Sequence, residues 1–386
     1  MRPILFTGKA VSACAILMFV LFLCGCAVDV SQYTASPSVM PTKTSVEVST
    51  VPVPLAMTPT PQQNTIGLST SIPVTWSSLD LAGHLLYIAG VAKDSNLLLE
   101  IQDLDLKTGV ISPIFQTDSW VDAAAVSPDN TQIVISYAPP APAGAAHGSQ
   151  TSLYTIPRDG SRPPAPLFMP ASDQDQYDQP VWSPDGHFVY FRDVNYRAST
   201  IYSLMRVAFP GGKPETLVDW AYWPRISDDG SRMVFVKIDP VTQVNTLFVA
   251  AADGTQIQQA PLTGSYIPQV IDVPMFSKDS QSILFSAPDP TQSFTPNWLD
   301  RLMGITVAFA DGSIPSDWWS VPVTGGVPRQ LTHVQELALY GSFSSDKQFI
   351  ASYTSDDIFV MKPDGTGVTL LVNDIGGVPG TVDWTP

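Results

Sequence analysis

The sequence predicts an all-β fold, a six-bladed β-propeller of four-stranded antiparallel blades, and three observations support this. A Ser-x-Asp phrase recurs along the chain, short apolar runs rich in β-branched and aromatic residues follow it, and a glycine-containing turn phrase comes after those runs. Successive serines are 44 residues apart at the closest, Ser183 to Ser227, and 67 at the widest, Ser277 to Ser344. This spacing is typical of propeller blades rather than of solenoid coils.

The first phrase marks the predicted turn between the first two strands of a blade. Its five copies are Ser127-Pro128-Asp129-Asn130, Ser183-Pro184-Asp185-Gly186, Ser227-Asp228-Asp229-Gly230, Ser277-Lys278-Asp279-Ser280 and Ser344-Ser345-Asp346-Lys347. We interpret Trp76-Ser77 as an imperfect sixth copy. An aspartate that recurs at the same turn of every blade is expected to accept backbone N–H groups there. The repeated aspartates are therefore assigned to the turns and not to calcium binding or acid catalysis.

The second phrase marks a predicted hairpin turn between the third and fourth strands. Its copies are Asp159-Gly160, Gly211-Gly212, Asp253-Gly254, Gly325-Gly326 and Asp364-Gly365, which suit turns with positive φ. At the carboxyl terminus, Val382 to Pro386 has the pattern of an opening strand cut short. We expect this strand to close the ring inside the blade that holds residues 85–116, with Ile72 to Trp76 as a lead-in strand or an extra partner.

One copy identifies a family. Trp182-Ser183-Pro184-Asp185-Gly186 resembles the blade motif of the TolB-type, WD-repeat-like β-propellers of bacterial envelopes. The resemblance covers about residues 71–386 and is specific for architecture, but weak for function. We predict no separate amino-terminal domain like that of TolB, so a Tol–Pal role is not carried over.

The amino terminus is typical of an export signal. Arg2 and Lys9 precede an uncharged run from Ala10 to Leu23, which is too short for the roughly 20 residues of a transmembrane helix, so a membrane span is the weaker alternative. Leu23-Cys24-Gly25-Cys26 then resembles the bacterial lipobox. The resemblance implies that residues 1–25 are a cleaved signal peptide. It also implies that Cys26 is lipidated and holds the protein at a bacterial membrane, on the cell membrane or outer membrane outside the cytoplasm.

Composition separates a tether from the propeller. Residues 26–70 are rich in Ser, Thr and Pro and poor in large apolar groups, so we predict a disordered tether there and the propeller over residues 71–386. The net charge of −16 would repel phosphate backbones, which excludes nucleic acid as a partner.

Motifs for catalysis or cofactor binding are missing from the sequence. It contains no Gly-x-Ser-x-Gly elbow and no phosphate-binding glycine loop. The four histidines fall in different repeats: His84, His147, His187 and His333. Asp173, Asp175 and Asp178 have calcium-like spacing but lack the glycine and the glutamate of a calcium loop. We therefore predict no metal, no cofactor and no enzymatic activity.

Long insertions indicate where a partner binds. Ala138 to Gln150 lengthens the second blade and Pro288 to Asp317 the fifth, and both are expected to rise from one rim of the channel. The predicted ligand-binding residues lie in or near such loops: Trp298, Asp300, Arg301, Arg192, Tyr196, Arg197, Tyr177 and Tyr222. For each of the aromatic residues, packing between blades is the alternative. For the arginines, the alternative is a solvated side chain or an ion pair with an acid such as Asp193.

The predicted function is that of a membrane-anchored binding or scaffold protein, a monomer that uses the loop-rich face of the propeller to bind an envelope protein or a glycan. A sensor component of an envelope assembly fits the same features. The alternative class is a propeller enzyme, a polysaccharide lyase or hydrolase that uses acidic residues facing the channel.

Overall fold

Six antiparallel sheets form the protein in the computed structural model, which confirms the propeller predicted from the repeats. The structure describes residues 68–93, 96–141, 150–170, 172, 175–198, 200–290, 314–337, 339–378 and 380–386. Within these ranges the chain forms strands β1 to β25 and one short 3-10 helix, Ser77–Leu79. None of the helical structure in the described part is long and apolar enough to cross a membrane.

The first blade has five strands and the other blades have four. Blade one contains β1 (Thr70–Ser71), β2 (His84–Lys93), β3 (Asn96–Asp105), β4 (Val110–Thr117) and β25 (Val382–Thr385). Blade two contains β5 (Trp120–Val126), β6 (Gln132–Ala138), β7 (Ser152–Pro157) and β8 (Ala165–Pro166). Blade three contains β9 (Gln176–Trp182), β10 (Phe188–Val194), β11 (Tyr202–Ala208) and β12 (Glu215–Asp219).

The second half of the ring repeats this plan. Blade four contains β13 (Ala221–Ile226), β14 (Arg232–Ile238), β15 (Asn245–Ala251) and β16 (Gln258–Gln259). Blade five contains β17 (Asp272–Phe276), β18 (Ser282–Pro288), β19 (Ser316–Pro322) and β20 (Arg329–Gln330). Blade six contains β21 (Tyr340–Phe343), β22 (Ile350–Tyr353), β23 (Asp357–Met361) and β24 (Thr369–Asn373).

The carboxyl-terminal strand closes the ring as predicted. Strand β25 pairs antiparallel with β2, with Leu85 opposite Trp384 and Tyr87 opposite Val382. It thereby occupies the first, channel-side position of blade one, while β1 pairs with β4 at the opposite edge of the sheet. Strands from the two chain ends thus complete blade one, because β25 covers the free edge of β2 and β1 covers the free edge of β4.

The prediction that Trp76-Ser77 is the sixth copy of the first phrase is wrong. Ser77–Leu79 is a 3-10 helix, and the buried Trp76 donates its indole N–H to the carbonyl oxygen of Leu106 at 2.8 Å. The true equivalent is divided between the termini, since Thr385 ends the inner strand and His84, which pairs with it, begins the next one. Gly83 makes this junction possible, because at its φ of +86° a Cβ atom would lie 2.2 Å from the Thr385 carbonyl oxygen.

The repeated aspartates stabilise the turns, as predicted. In each of the five copies the serine hydroxyl donates to the aspartate two residues later, at 2.6 to 2.7 Å. The same carboxylate accepts the backbone N–H two residues further on, as from Thr131 to Asp129 at 3.1 Å. In this copy the hydrogen bond from Ser127 is the main cause that lowers the pKa of Asp129.

The alternation of strand direction gives the propeller two different faces. We call the side with the Ser-x-Asp and glycine turns the turn face. We call the opposite side the loop face, because it carries the loops between second and third strands and the connections from blade to blade. The core lies between neighbouring sheets, for example where Ile88 and Ile101 of blade one meet Ile133 and Ile135 of blade two. The channel is bounded by the inner strands β25, β5, β9, β13, β17 and β21.

Candidate functional site

Two of the predicted ligand-binding residues reach solvent on the loop face. Tyr196 is 69% exposed and Arg197 is exposed beside it, both in the loop between β10 and β11. Asn195 holds this loop: its side-chain oxygen accepts the Arg197 backbone N–H at 3.0 Å and its amide donates to Asp175 at 2.6 Å. An aromatic ring and a cation are therefore displayed on a loop with a fixed base.

Three other predicted residues are engaged inside the protein. Arg192 forms a two-pronged ion pair with Asp178, with N···O distances of 2.8 and 2.6 Å, and not with Asp193. Its guanidinium carbon lies 5.9 Å from the ring centroid of Tyr222. Tyr222 and Tyr177 are both buried. These side chains support the loop face from below.

The remaining predicted site residues lie outside the described residues. They are Cys26, Trp298, Asp300 and Arg301. The same holds for Asp173 of the calcium-like spacing. Its neighbours Asp175 and Asp178 are described, and both accept hydrogen bonds from protein groups, as from Asn195 and Arg192.

Carboxylates gather around Arg192 beneath the loop face. Burial, together with the charges of Asp175 and Asp178, raises the pKa of Asp193 to about 7. Burial likewise raises the pKa of Asp122 to about 6, with a contribution from Asp178. One oxygen of Asp193 and one of Asp122 are shielded from solvent and accept no hydrogen bond in the described structure. Among the described residues, this cluster contains more carboxyl groups than its one arginine can balance, and the raised pKa values of Asp122 and Asp193 place their ionisation near neutral pH.

A second group of acids lies in blade five. Asp289, Asp317 and His333 bring ligand atoms within 4.8 Å of one another, a set that could hold a divalent cation. Both aspartates are buried, and the Gln330 amide donates to them at 3.0 and 3.2 Å. Asp317 also accepts the Val334 backbone N–H at 2.6 Å, which fixes the segment after β20. The sequence analysis missed this group because its members are separated by strands and a long loop.

The channel itself holds a cavity of about 270 Å³ next to the turn face. Residues from all six inner strands line it, including Arg225 of β13 and Asp383 of β25. Asp228 and Lys347 lie at its turn-face end and form an ion pair at 3.0 Å. The repeats do not reveal these four residues, because none of them recurs at the equivalent position of another blade.

Comparisons with known proteins support the architecture. No family model and no curated protein matches this chain. Among solved structures, the putative TolB from Agrobacterium tumefaciens is 16% identical with a TM-score of 0.52, over 79% of this chain and 99% of that one. A chain of the nidogen/laminin complex is 9% identical with a TM-score of 0.53, over 78% of this chain and 98% of that one. At such identities the likeness concerns the fold alone, and it agrees with the propeller formed by the six sheets.

Proposed function

We propose that this chain is a lipid-anchored, non-enzymatic binding or scaffold protein that captures a protein or glycan partner on its loop face, outside the cytoplasm. The observation that carries the proposal is the exposed pair Tyr196 and Arg197 on the β10–β11 loop. Tyrosine and arginine are among the residue types enriched at the positions that dominate binding energy in interfaces. The protein acts as a monomer that needs no cofactor.

The loop face has the construction expected of a binding surface. The pair lies above a base fixed by the bond from Asn195 to Asp175 and by the ion pair of Arg192 with Asp178. A fixed base lowers the entropy that a partner must offset when it binds. We propose that Trp298, Asp300 and Arg301, in the insertion of blade five two blades further around the ring, belong to the same binding surface.

The pair provides the first test of the proposal. Tyr196→Ala and Arg197→Ala should each weaken partner capture from crosslinked membranes by about 1–3 kcal/mol, because an interface anchor is lost, and should leave the melting temperature unchanged. Arg162→Ala is the matched control, since Arg162 is an exposed arginine on the turn face. If Tyr196→Ala and Arg197→Ala both capture the partner as well as wild type does, the loop face is not the binding surface.

The proposed anchor gives an independent prediction. Cys26→Ser should abolish incorporation of labelled palmitate and release the protein from membranes, because the lipobox assigns the diacylglyceryl group to the thiol of that residue. Cys24→Ser is the matched control and should retain the label. Label in the Cys26 variant would show that the lipobox assignment is wrong.

A second candidate function is that of a polysaccharide lyase or hydrolase. One observation favours it, the grouping of buried Asp289 and Asp317 with His333 in blade five. Paired carboxylates, or a divalent cation bound by them, can supply the acid and base that such cleavage needs. Release of reducing ends from acidic polysaccharides by the wild-type protein, lost in Asp317→Asn, would favour the enzyme over the binding protein.

A further inference from the structure

The cavity in the turn-face half of the channel has both apolar and charged walls. Its apolar lining includes Val126, Val181, Ile226, Met275, Phe276 and Phe343, and its charged lining consists of Arg225, Asp228, Lys347 and Asp383. Because every blade contributes, the cavity is formed only in the closed ring. Propellers commonly present such central channels to ligands, and concave sites with a few convergent polar groups are the usual small binding sites.

Arg225 differs from three other partly buried arginines, Arg158, Arg192 and Arg206, in having no carboxylate partner among the described residues, a property that it shares with Arg232. Arg158 and Arg192 each reach a carboxylate oxygen at 2.6 Å, and Arg206 pairs with Glu215. Arg225 forms no ion pair with any carboxylate in the described part of the chain. Its guanidinium carbon lies 4.6 Å from the Tyr340 ring centroid, and the guanidinium also donates a hydrogen bond to the Tyr340 hydroxyl. A guanidinium held in this way keeps N–H groups at its edge for another acceptor.

The two acids that share the cavity are already engaged. Asp383 accepts the Val126 backbone N–H at 2.8 Å and the Ser342 hydroxyl at 3.3 Å, which joins the inner strands of blades one, two and six. Asp228 is paired with Lys347. Rotating Asp383 towards Arg225 would leave the Val126 N–H without its acceptor, which is costly inside a protein. Arg225 therefore has no carboxylate in direct contact among the described residues, although the Asp383 carboxyl lies near enough to interact with its charge, and its N–H groups can still bind an external anion.

We propose that this cavity binds an acidic side chain of a peptide that enters from the turn face, with its carboxylate on Arg225. Hydrogen bonds between a guanidinium and a carboxylate are charge-assisted and strong, more so where water is partly excluded. The apolar walls suit apolar residues beside the acid. A uronic acid would instead bring hydroxyl groups whose hydrogen bonds with water these walls cannot replace. This site is additional to the loop face and does not depend on it.

The ion pair between Asp228 and Lys347 marks the entrance. Asp228 lies in the β13–β14 turn of blade four and Lys347 in the β21–β22 turn of blade six. Their ion pair therefore joins two blades that are separated by blade five. An acidic peptide must approach the Asp228 carboxylate on its way to Arg225. Asp228→Asn should therefore strengthen binding of the peptide, by about threefold, because a like charge at the entrance is removed.

The test begins with random peptides displayed on phage and selected on the wild-type protein. The selected peptides should be enriched in Asp or Glu between apolar residues. A synthetic selected peptide should bind Arg225→Gln at least about tenfold more weakly than wild type, as expected for one charge-assisted contact. The affinity of Arg225→Lys should lie between those of wild type and Arg225→Gln, because lysine keeps the positive charge but cannot bind the carboxylate through two parallel N–H groups.

Matched controls separate the site from general damage. Arg232 lies on the same blade with its guanidinium carbon 5.1 Å from the Phe276 ring centroid, outside the cavity lining, so Arg232→Gln should bind within about twofold of wild type. Replacing the acid of the peptide by its amide should cost as much as Arg225→Gln, and combining the two changes should cost little more. Tyr196→Ala should bind the peptide normally, so that failure here is distinct from failure of the loop-face proposal.

Several results would overturn the proposal. Selection of no peptide, selection without enrichment of acids, or equal binding by Arg225→Gln and wild type would each do so. Binding of oligogalacturonate that requires Arg225, without binding of any acidic peptide, would assign the cavity to a uronic acid instead.

Discussion

Deletion of residues 382–386 is expected to abolish cooperative folding of the propeller. The deletion removes β25, and with it the buried side chains of Val382 and Trp384. Loss of one buried tryptophan side chain alone costs about 3–5 kcal/mol, against a total stability of about 5–15 kcal/mol for a typical domain. The deletion also exposes the β2 edge and removes Asp383, which links three inner strands. Urea unfolding followed by tryptophan fluorescence would measure the effect.

The opposite edge of the same blade offers the control. Deletion of residues 68–71 removes β1, whose two residues are exposed and pair only with β4. Since little apolar surface is lost there, this variant should retain its stability to within about 1 kcal/mol. Equal losses from the two deletions, or an unchanged unfolding midpoint after removal of β25, would contradict closure by the carboxyl-terminal strand.

The repeats predict the ring because the same turn chemistry returns at each blade. Ser183 and Asp185 form the same bond as their counterparts, so one well-matched copy predicts the others. The phrase fails where residue types match without the surrounding strand, as at Trp76. Blade one is assembled from both termini, and a local motif cannot reveal that Trp384 and His84 follow one another in space.

Beneath the loop face, the alternation of side chains along a strand does not predict which residues are buried. Tyr177 and Arg192 lie on strands whose register shifts between Tyr190 and Arg192, at a bulge that places Gln179 at a φ of +54°. A bulge changes which side chains point to the channel and which to the neighbouring blade. The sequence therefore identifies the loop of Tyr196 but not the burial of Tyr177. The contact of Arg225 with Tyr340 escaped prediction for another reason, since the two residues come from blades far apart in the chain.

The carboxylates beneath the loop face are expected to make the protein more stable in mild acid than at neutral pH. The pKa values of Asp193 and Asp122, about 7 and about 6, lie above the ordinary value of 3.8. The folded protein therefore binds these protons more tightly than the unfolded chain. Between about pH 4 and 7 the free energy of unfolding falls as pH rises, because ionisation is easier in the unfolded state. Asp383, whose pKa is also raised by burial, acts in the same direction.

Replacing both carboxyls tests this sign. The melting temperature of Asp122→Asn/Asp193→Asn should exceed that of wild type at about pH 8 and converge with it towards about pH 4, where the wild-type carboxyls are protonated and resemble the amides. Asp159→Asn is the control: hydrogen bonds from Ser161 lower the pKa of Asp159, so this carboxyl stays ionised between about pH 5 and 8 and its replacement should shift the melting temperature by the same amount throughout that range. The prediction is wrong if the wild-type melting temperature rises from about pH 5 to 8 and the double variant shows the same slope. The negative charges of the two carboxyls would then be balanced by other groups in the folded protein. The expected fall of stability with rising pH arises because one arginine, Arg192, faces four carboxyl groups: Asp122, Asp175, Asp178 and Asp193.

A basic partner bound on the loop face would offset this excess of negative charge. Its binding should therefore flatten the pH dependence of the melting temperature of the wild-type protein.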